Sequence, residues 1–147
     1  MEQSLFKVKT QVRVRNYEVD WQGVVHNTVY LLYFEVGRLE YFRKLGLRIN
    51  AESIQKENKV VLVRNEINYR SAARYNDVLD VYTRVSSIGS TSFVMEGLLV
   101  RHESDSIVGE NVAVHVWLDP KSDRPVMIGD EFRKAVRQFE GPAVTVG

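Results

Sequence analysis

Apolar and polar side chains alternate along the start of the chain, over residues 6–14. The apolar positions of this pattern are Phe6, Val8, Val12 and Val14. The polar positions between them include Lys7, Lys9, Gln11 and Arg13. A period of two is typical of a strand with one buried and one solvated face, so the pattern predicts a first β-strand over 6–14.

The segment 29–45 has a different pattern, in which leucine, tyrosine and phenylalanine recur without alternation and without proline. Its length and composition predict a helix, and Gly46 is suited to the left-handed cap that ends one. On a helical wheel the apolar side chains point to nearly every side, so we expect the helix to be largely buried. One apolar stripe holds Val29, Leu32, Val36 and Leu39, and another holds Tyr30, Phe34, Gly37 and Tyr41.

The pattern in the rest of the chain predicts a polar connector followed by strands. The connector covers 50–59, and strand-like runs follow at 60–69, 78–88, 93–101 and 107–118. Turn-forming residues separate these runs, so the final strands should form an antiparallel meander. A short amphipathic helix through Phe132, Val136 and Phe139 should follow, with frayed residues at the end.

This order of elements predicts one α+β domain over residues 1–147, in which a curled antiparallel five-stranded sheet wraps around a long central helix. One sheet covers only part of a helix that is apolar on most sides. An identical second sheet could cover the rest, so we expect at least a homodimer, and a homotetramer is equally compatible.

Composition excludes several classes of function. The formal net charge is +1 with scattered basic residues, which argues against nucleic acid or an acidic membrane as a partner. Cysteine is absent, which removes thiolate metal sites and cysteine nucleophiles. We expect a cytoplasmic protein, because the chain offers neither a signal segment nor a long apolar stretch.

Common catalytic motifs are also absent, including the G-x-S-x-G elbow, the P-loop and G-x-G-x-x-G. His26, His102 and His115 form no i, i+4 pair that could bind a metal. We therefore expect neither a metal nor another cofactor.

Candidate chemistry is concentrated in residues 20–27, where Asp20, a glycine turn, His26 and Asn27 precede the helix. Free N–H groups at a helix start can polarise a carbonyl, and a nearby carboxylate can act as nucleophile or general base. An aspartate there is more often only a cap or turn residue, and a loop histidine usually only packs or bonds backbone. Spacing alone leaves the two interpretations open.

Three motifs change that balance: D-W-Q-G-V-V-H-N at 20–27, Y-L-L-Y-F-E at 30–35 and R-L-E-Y at 38–41. Together they closely resemble the 4-hydroxybenzoyl-CoA thioesterase-like family of hotdog proteins. The resemblance implies an acyl-CoA substrate, a site at a subunit interface, and Asp20 as the catalytic carboxylate. It also implies that a backbone N–H near Asn27 polarises the carbonyl, with His26 beside it, and that Gly23, Val24 and Tyr30 contact the substrate.

A second segment extends the resemblance. Val63, Arg64, Tyr69 and residues 73–77 match the family pattern V-R-x-x-x-x-Y-x-x-P-A-R-x-x-D, except that Ala72 replaces the usual proline. Val63 and Arg64 are accordingly expected to bind substrate. Members acting on 4-hydroxybenzoyl-CoA carry basic residues before a Ser-Phe pair, whereas Gly89, Ser90 and Thr91 stand there in this chain. The resemblance therefore does not extend to that aromatic substrate.

Another branch of hotdog thioesterases places its carboxylate on the helix, which makes Glu35 an alternative to Asp20. An i, i+3 ion pair with Arg38 would explain Glu35 without catalysis, and we favour that interpretation. Tyr30 and Tyr33 could line an acyl tunnel, although core packing is the commoner role of such residues.

The sequence thus predicts an acyl-CoA thioesterase that releases a free acid and CoA. The alternatives are an acyl-carrier-protein thioesterase and a binding module for acyl-CoA or acyl-carrier protein that does not cleave the thioester. A hydratase of the same fold is disfavoured, because its histidine-plus-acid motif is missing.

Overall fold

The computed structural model describes residues 1–49, 52–53 and 59–147. Within these ranges two α-helices and six β-strands succeed one another along the chain. They are β1 (Val8–Arg13), α1 (Val29–Lys44), β2 (Lys59–Tyr69), β3 (Val78–Ile88), β4 (Ser92–Arg101), β5 (Ile107–Leu118), α2 (Asp130–Glu140) and β6 (Thr145–Val146). Each predicted helix and strand is present, whereas most of the predicted connector 50–59 lies outside the described residues.

The strands form one sheet in the order β1-β3-β4-β5-β2. All neighbours in this order are antiparallel, and β3, β4 and β5 form the predicted meander. The short β6 adds to β3 in parallel, opposite Ser87 and Ile88. The predictions of five strands and of a frayed end were therefore wrong. Two residues are too few to display an alternation that a sequence pattern could reveal.

Helix α1 packs on β3, β1 and β4 through two close backbone approaches. A side chain at Gly97 on β4 would meet Phe34 Cδ1 at 2.5 Å, and one at Gly37 on α1 would meet Thr83 Oγ1 at 2.4 Å. Glycine on the sheet therefore makes room for a helix side chain, and glycine on the helix makes room for sheet side chains. The two contacts together fix the position of α1 on the sheet.

The end of α1 is closed by a Schellman arrangement at Gly46, which has φ of +69°. The N–H of Gly46 donates to the carbonyl of Arg43, and the N–H of Leu47 donates to the carbonyl of Phe42. This is the predicted left-handed glycine cap, and the helix ends at Lys44, one residue before the predicted end.

One stripe of α1 stays exposed in the single chain. Leu32 is 56% exposed, Val36 43% and Leu39 50%. The expectation of a largely buried helix is therefore wrong for one chain, because the sheet covers only the side that carries Tyr30, Phe34 and Tyr41. No helix in the described ranges is long and apolar enough to cross a membrane.

The predicted surface ion pair between Glu35 and Arg38 is also wrong. Arg38 is only 8% exposed and donates to Asn111 Oδ1 on β5 at 3.2 Å, whereas Glu35 is exposed. A spacing of three residues places two side chains near each other, but it does not tell which of them faces the sheet.

The core also buries His115, whose ring stacks on Phe93 at 5.0 Å between centroids. Burial lowers the pKa of His115 from 6.5 to about 4, and the positive charge of Arg38 contributes to the shift, against a smaller opposing effect of the Ala113 backbone. The ring is therefore neutral at physiological pH.

We expect Gly97→Ala to destabilise the fold by about 1–3 kcal/mol, because the added methyl group overlaps the Phe34 ring. Urea unfolding measures the change. Gly129→Ala is the matched control, since the nearest atom to its added methyl group would be Trp117 Cζ2 at 3.8 Å. Equal losses in the two variants would contradict the proposed close packing of α1.

We expect acid to destabilise the wild type more than His115→Phe, which keeps a ring against Phe93 but cannot titrate. Between pH 6.5 and about pH 4, His115 binds a proton in the unfolded chain but stays neutral in the folded chain. The folded protein therefore loses stability as the pH falls through this window. The loss amounts to at most about 3 kcal/mol. Melting temperatures at pH 7 and pH 5 test this, and parallel curves for both proteins would contradict it. Glu140, whose pKa is raised by burial, is common to both proteins and cancels in the comparison.

Candidate active site

An open cleft of about 310 Å³ lies at the N-terminal end of α1. Its walls include three predicted site residues, Val24, Asn27 and Tyr30, together with Tyr69 from the end of β2. The sheet and the loop before the helix therefore meet where the sequence places the chemistry.

Asp20 lies beside this cleft in a tight turn. Its N–H donates to the carbonyl of Val24 at 2.8 Å, and its own carbonyl accepts from the N–H of Gly23 at 3.0 Å. Gly23 has φ of +81°, a left-handed conformation that favours glycine. The half-buried carboxylate accepts the N–H of Gln22 through Oδ1 at 2.8 Å. This is the turn role that the sequence left open for Asp20, and it orients the carboxylate while occupying one oxygen.

The side chain of His26 bonds to Thr28, the residue that precedes α1. Its Nδ1 lies 2.8 Å from the Thr28 hydroxyl and accepts the Thr28 N–H at 3.3 Å. The ring is exposed and does not line the cleft. These contacts correspond to the structural role that we considered the commoner one for a loop histidine.

Asn27 lines the cleft. Its carbonyl accepts the hydroxyl of Tyr69 at 3.0 Å, while its N–H has no acceptor in the part of the chain that is described. The Tyr69 ring also packs edge-on against Tyr30, with 5.1 Å between centroids. Tyr69 is a site residue that we did not select, although it stands in the family pattern and its place at a strand end was a usable signal.

Glu18 anchors the loop that carries Asp20. Its carboxylate accepts the N–H of Arg15 at 2.8 Å and the hydroxyl of Tyr33 at 3.1 Å, and its carbonyl accepts the N–H of His26 at 2.9 Å. Burial raises the pKa of Tyr33, as does the negative charge of Glu18, so the phenol remains a donor. Tyr33 therefore holds the loop onto α1, a role that the sequence did not indicate.

The segment 72–77 anchors the loop from the other side. The Val25 N–H donates to the Ala73 carbonyl at 2.8 Å, and the Ala73 N–H donates to the Tyr30 hydroxyl at 3.1 Å. Asp77 accepts the Arg74 N–H at 2.9 Å and forms an ion pair with Arg101. The A-R-Y-N-D motif therefore supports the cleft and needs no catalytic role to explain it.

Val63 and Arg64 do not join this cleft in the single chain. Val63 lies at a bulge of β2 and is 58% exposed, and Arg64 pairs with Glu66 in solvent. Val63 and Tyr69 are six residue positions apart on the strand, which corresponds to roughly 20 Å. No group of three or more histidine, aspartate or glutamate residues that could hold a metal occurs within the described ranges.

A family model for the thioesterase-like superfamily matches residues 14–136. The chain belongs to this superfamily. The prediction of a thioesterase of the hotdog type is therefore confirmed at the level of the family, together with the α+β class.

Several named thioesterases are similar to this member of the superfamily. Long-chain acyl-CoA thioesterase FadM of Escherichia coli is 25% identical, over 90% of this chain and 98% of its own length. Acyl-acyl carrier protein thioesterase ATL3 of Arabidopsis thaliana, a chloroplastic protein, is 27% identical over 89% of this chain and 68% of its own. A Thermus thermophilus thioesterase solved with coenzyme A and Zn is 29% identical with a TM-score of 0.79, over 92% of this chain and 96% of its own.

Proposed function

We propose that the protein hydrolyses acyl-CoA thioesters in the cleft at the start of α1, with Asp20 as the catalytic carboxylate. Thioester hydrolysis is the activity predicted from the sequence, and the family and the named relatives bear it out. The assignment of catalytic roles to particular residues is our proposal.

The observation that carries these roles is the Asn27 N–H, which has no acceptor among the described residues and belongs to a residue that lines the open cleft. Such a group at the positive end of a helix can donate to a thioester carbonyl and stabilise the oxyanion that develops on attack. The Tyr69 hydroxyl donates to the Asn27 carbonyl, which belongs to the next peptide unit, and it thereby restrains the backbone of Asn27 before substrate arrives.

Asp20 promotes attack on the thioester carbonyl carbon by one of two routes. As general base it takes a proton from water, whose oxygen adds to the carbonyl carbon. As nucleophile its free oxygen adds directly and gives an anhydride that water then hydrolyses. In both routes the acyl C–S bond breaks and the thiolate is protonated, which gives the free acid and CoA.

We further propose that the site is completed by a second copy of the chain. The exposed stripe of Leu32, Val36 and Leu39 supports this, as do Trp21, 91% exposed next to Asp20, and the free edge of β2. Pairing across that edge would bring the partner's Val63 and Arg64 toward the substrate and enclose α1 as the central helix of a curled sheet.

A second candidate activity is the hydrolysis of acyl-carrier-protein thioesters, which the similarity to ATL3 favours. The two carriers share the phosphopantetheine thioester, so the same cleft chemistry serves both. Parallel assays with one acyl group on CoA and on carrier protein distinguish them by kcat/KM.

We expect Asp20→Asn to lower kcat by about 10²–10⁴-fold, because the variant keeps the size of the side chain but loses the negative charge. KM should change much less. Asparagine also retains the acceptor for the Gln22 N–H, so the melting temperature should stay close to that of the wild type.

Glu35→Gln is the matched control, since it removes an exposed carboxylate from the adjacent helix. Its turnover should remain near that of the wild type. Normal turnover in Asp20→Asn combined with a collapse in Glu35→Gln would move the chemistry onto the helix and overturn the assignment.

We expect a homodimer or homotetramer in solution, because an exposed apolar helix stripe beside a free sheet edge is costly in water. Light scattering at micromolar concentration measures the mass directly. A stable monomer that retains full turnover would contradict a site shared between subunits.

A further inference from the structure

The outer side of α2 carries a cluster of positive charge that the proposed chemistry does not use. The apolar side of this helix is buried against the sheet, whereas Lys134 and Arg137 are exposed and Arg133 is half-buried. All three side chains line an open depression of about 690 Å³ on the surface. We call Arg133, Lys134 and Arg137 the basic face of α2.

The charges of the basic face are not compensated by carboxylates of the described residues. The ion pairs that these residues form involve other cations. Asp130 also lines the depression but forms no ion pair there. The guanidinium of Arg133 donates to the carbonyls of Ile128, Gly89 and Ser90, which are neutral acceptors. The depression is therefore a region of positive potential.

Helix stability alone does not explain this charge pattern. Arg137 lies in the last turn of α2, where a cation interacts favourably with the helix dipole. Arg133 precedes it by four residues, and like charges at that spacing destabilise a helix slightly. A helix that only covers the sheet needs polar side chains on its outer side, and uncharged or mixed ones would serve.

The basic face and the cleft of the same chain lie at opposite ends of the sheet. The turn that bonds to Arg133 lies at the end where β2 begins with Lys59, whereas Tyr69, the last residue of β2, lines the cleft. Ten residue positions separate Lys59 from Tyr69, which corresponds to roughly 33 Å. The basic face is therefore too far away to contact a substrate in the cleft of its own chain.

Pairing of two β2 edges, as proposed above, changes this relation. A two-fold axis perpendicular to the sheet makes the two β2 strands antiparallel, so the beginning of one strand lies beside the end of the other. The basic face of each subunit then lies at the end of the sheet that holds the partner's cleft. A substrate that enters one cleft is therefore able to contact α2 of the other subunit.

Resting on the proposed function, we propose that the basic face of α2 is a docking surface for an acidic helix of an acyl-carrier protein. The carrier docks on one subunit, and its flexible phosphopantetheine arm delivers the thioester to the cleft of the other. Water adds to the acyl carbon there and the C–S bond breaks, which gives a free acid and the carrier thiol.

Charge complementarity determines this choice of partner. A helix with a row of carboxylates matches the cations on the outer side of α2. A second copy of the basic face does not fit, because like charges would then face each other. A small-molecule site is usually concave and mostly apolar, whereas the side chains that line this open depression are all polar.

The test uses one octanoyl group on three thiols: a bacterial acyl-carrier protein, CoA and N-acetylcysteamine. The double variant Lys134→Gln/Arg137→Gln removes two exposed charges that make no hydrogen bond within the described residues. Its kcat/KM for the carrier thioester should fall by about 10-fold or more, through KM, because electrostatic steering raises association rates by 10–10³-fold. Hydrolysis of the N-acetylcysteamine thioester should stay unchanged.

The double variant Lys9→Gln/Arg13→Gln is the matched control, because it removes two exposed cations from β1 and changes the net charge equally. Equal losses in both double variants, or no loss in either, overturn the docking surface. An equal loss with CoA and with the carrier also overturns it and assigns the basic face to an anion of CoA. Silence of the wild type with all three thioesters overturns the proposed function as well.

Mixed dimers test delivery between subunits. One chain carries Asp20→Asn with an intact basic face, and the other carries Lys134→Gln/Arg137→Gln with an intact Asp20. Co-expression with two affinity tags isolates the mixed dimer. We expect it to hydrolyse the carrier thioester with a KM close to that of the wild type, because the intact basic face then serves the intact cleft of the other chain. A KM as high as that of the double variant overturns delivery between subunits.

Discussion

The close approach of α1 to the sheet is the constraint on which the rest of the structure depends. Gly37 on the helix and Gly97 on β4 permit it, and a methyl group at either position would overlap a neighbouring side chain. Once these contacts fix the helix, its N-terminal end comes to lie beside Tyr69 at the end of β2. The location of the cleft is therefore a consequence of packing in the interior.

The loop before α1 receives its shape from bonds to both of its neighbours. Glu18 and Tyr33 tie it to the helix, and Val25 and Ala73 tie it to the segment that follows β2. These bonds satisfy many backbone groups of the loop, whereas the N–H groups of Val19, Trp21, Val24 and Asn27 have no acceptor among the described residues. Of these residues Val24 and Asn27 line the cleft, and Asn27 lies nearer to the start of α1, so its N–H is the donor that we propose for carbonyl polarisation.

Much of the fold was predictable because strand alternation and helix composition are local signals. The limits of β3 and β5 coincide with the predicted ones, and Gly46 caps α1 as its conformational freedom suggests. The errors concern features that depend on distant residues. Nothing local reveals that β6 pairs with β3, or that Arg38 turns inward while Glu35 stays in water. For the proposed site, the resemblance pointed to the loop 20–27, but the anchoring roles of Glu18, Tyr33 and Tyr69 depend on partners between 15 and 42 residues away.

The buried polar groups of the core differ in how far the chain itself satisfies them. Glu140 accepts hydrogen bonds from the Tyr41 hydroxyl and the Val85 N–H, so burial of this carboxyl, whose pKa is raised, is compensated at one oxygen within the chain. Among the described residues, the hydrogen-bond acceptor of Arg38 is the neutral amide oxygen of Asn111, and Nδ1 of His115, like Oε2 of Glu140, has no partner. A group compensated inside the chain stabilises one packing of the core, as the bond between Tyr41 and Glu140 does for α1 and α2. A buried group that lacks compensation costs stability.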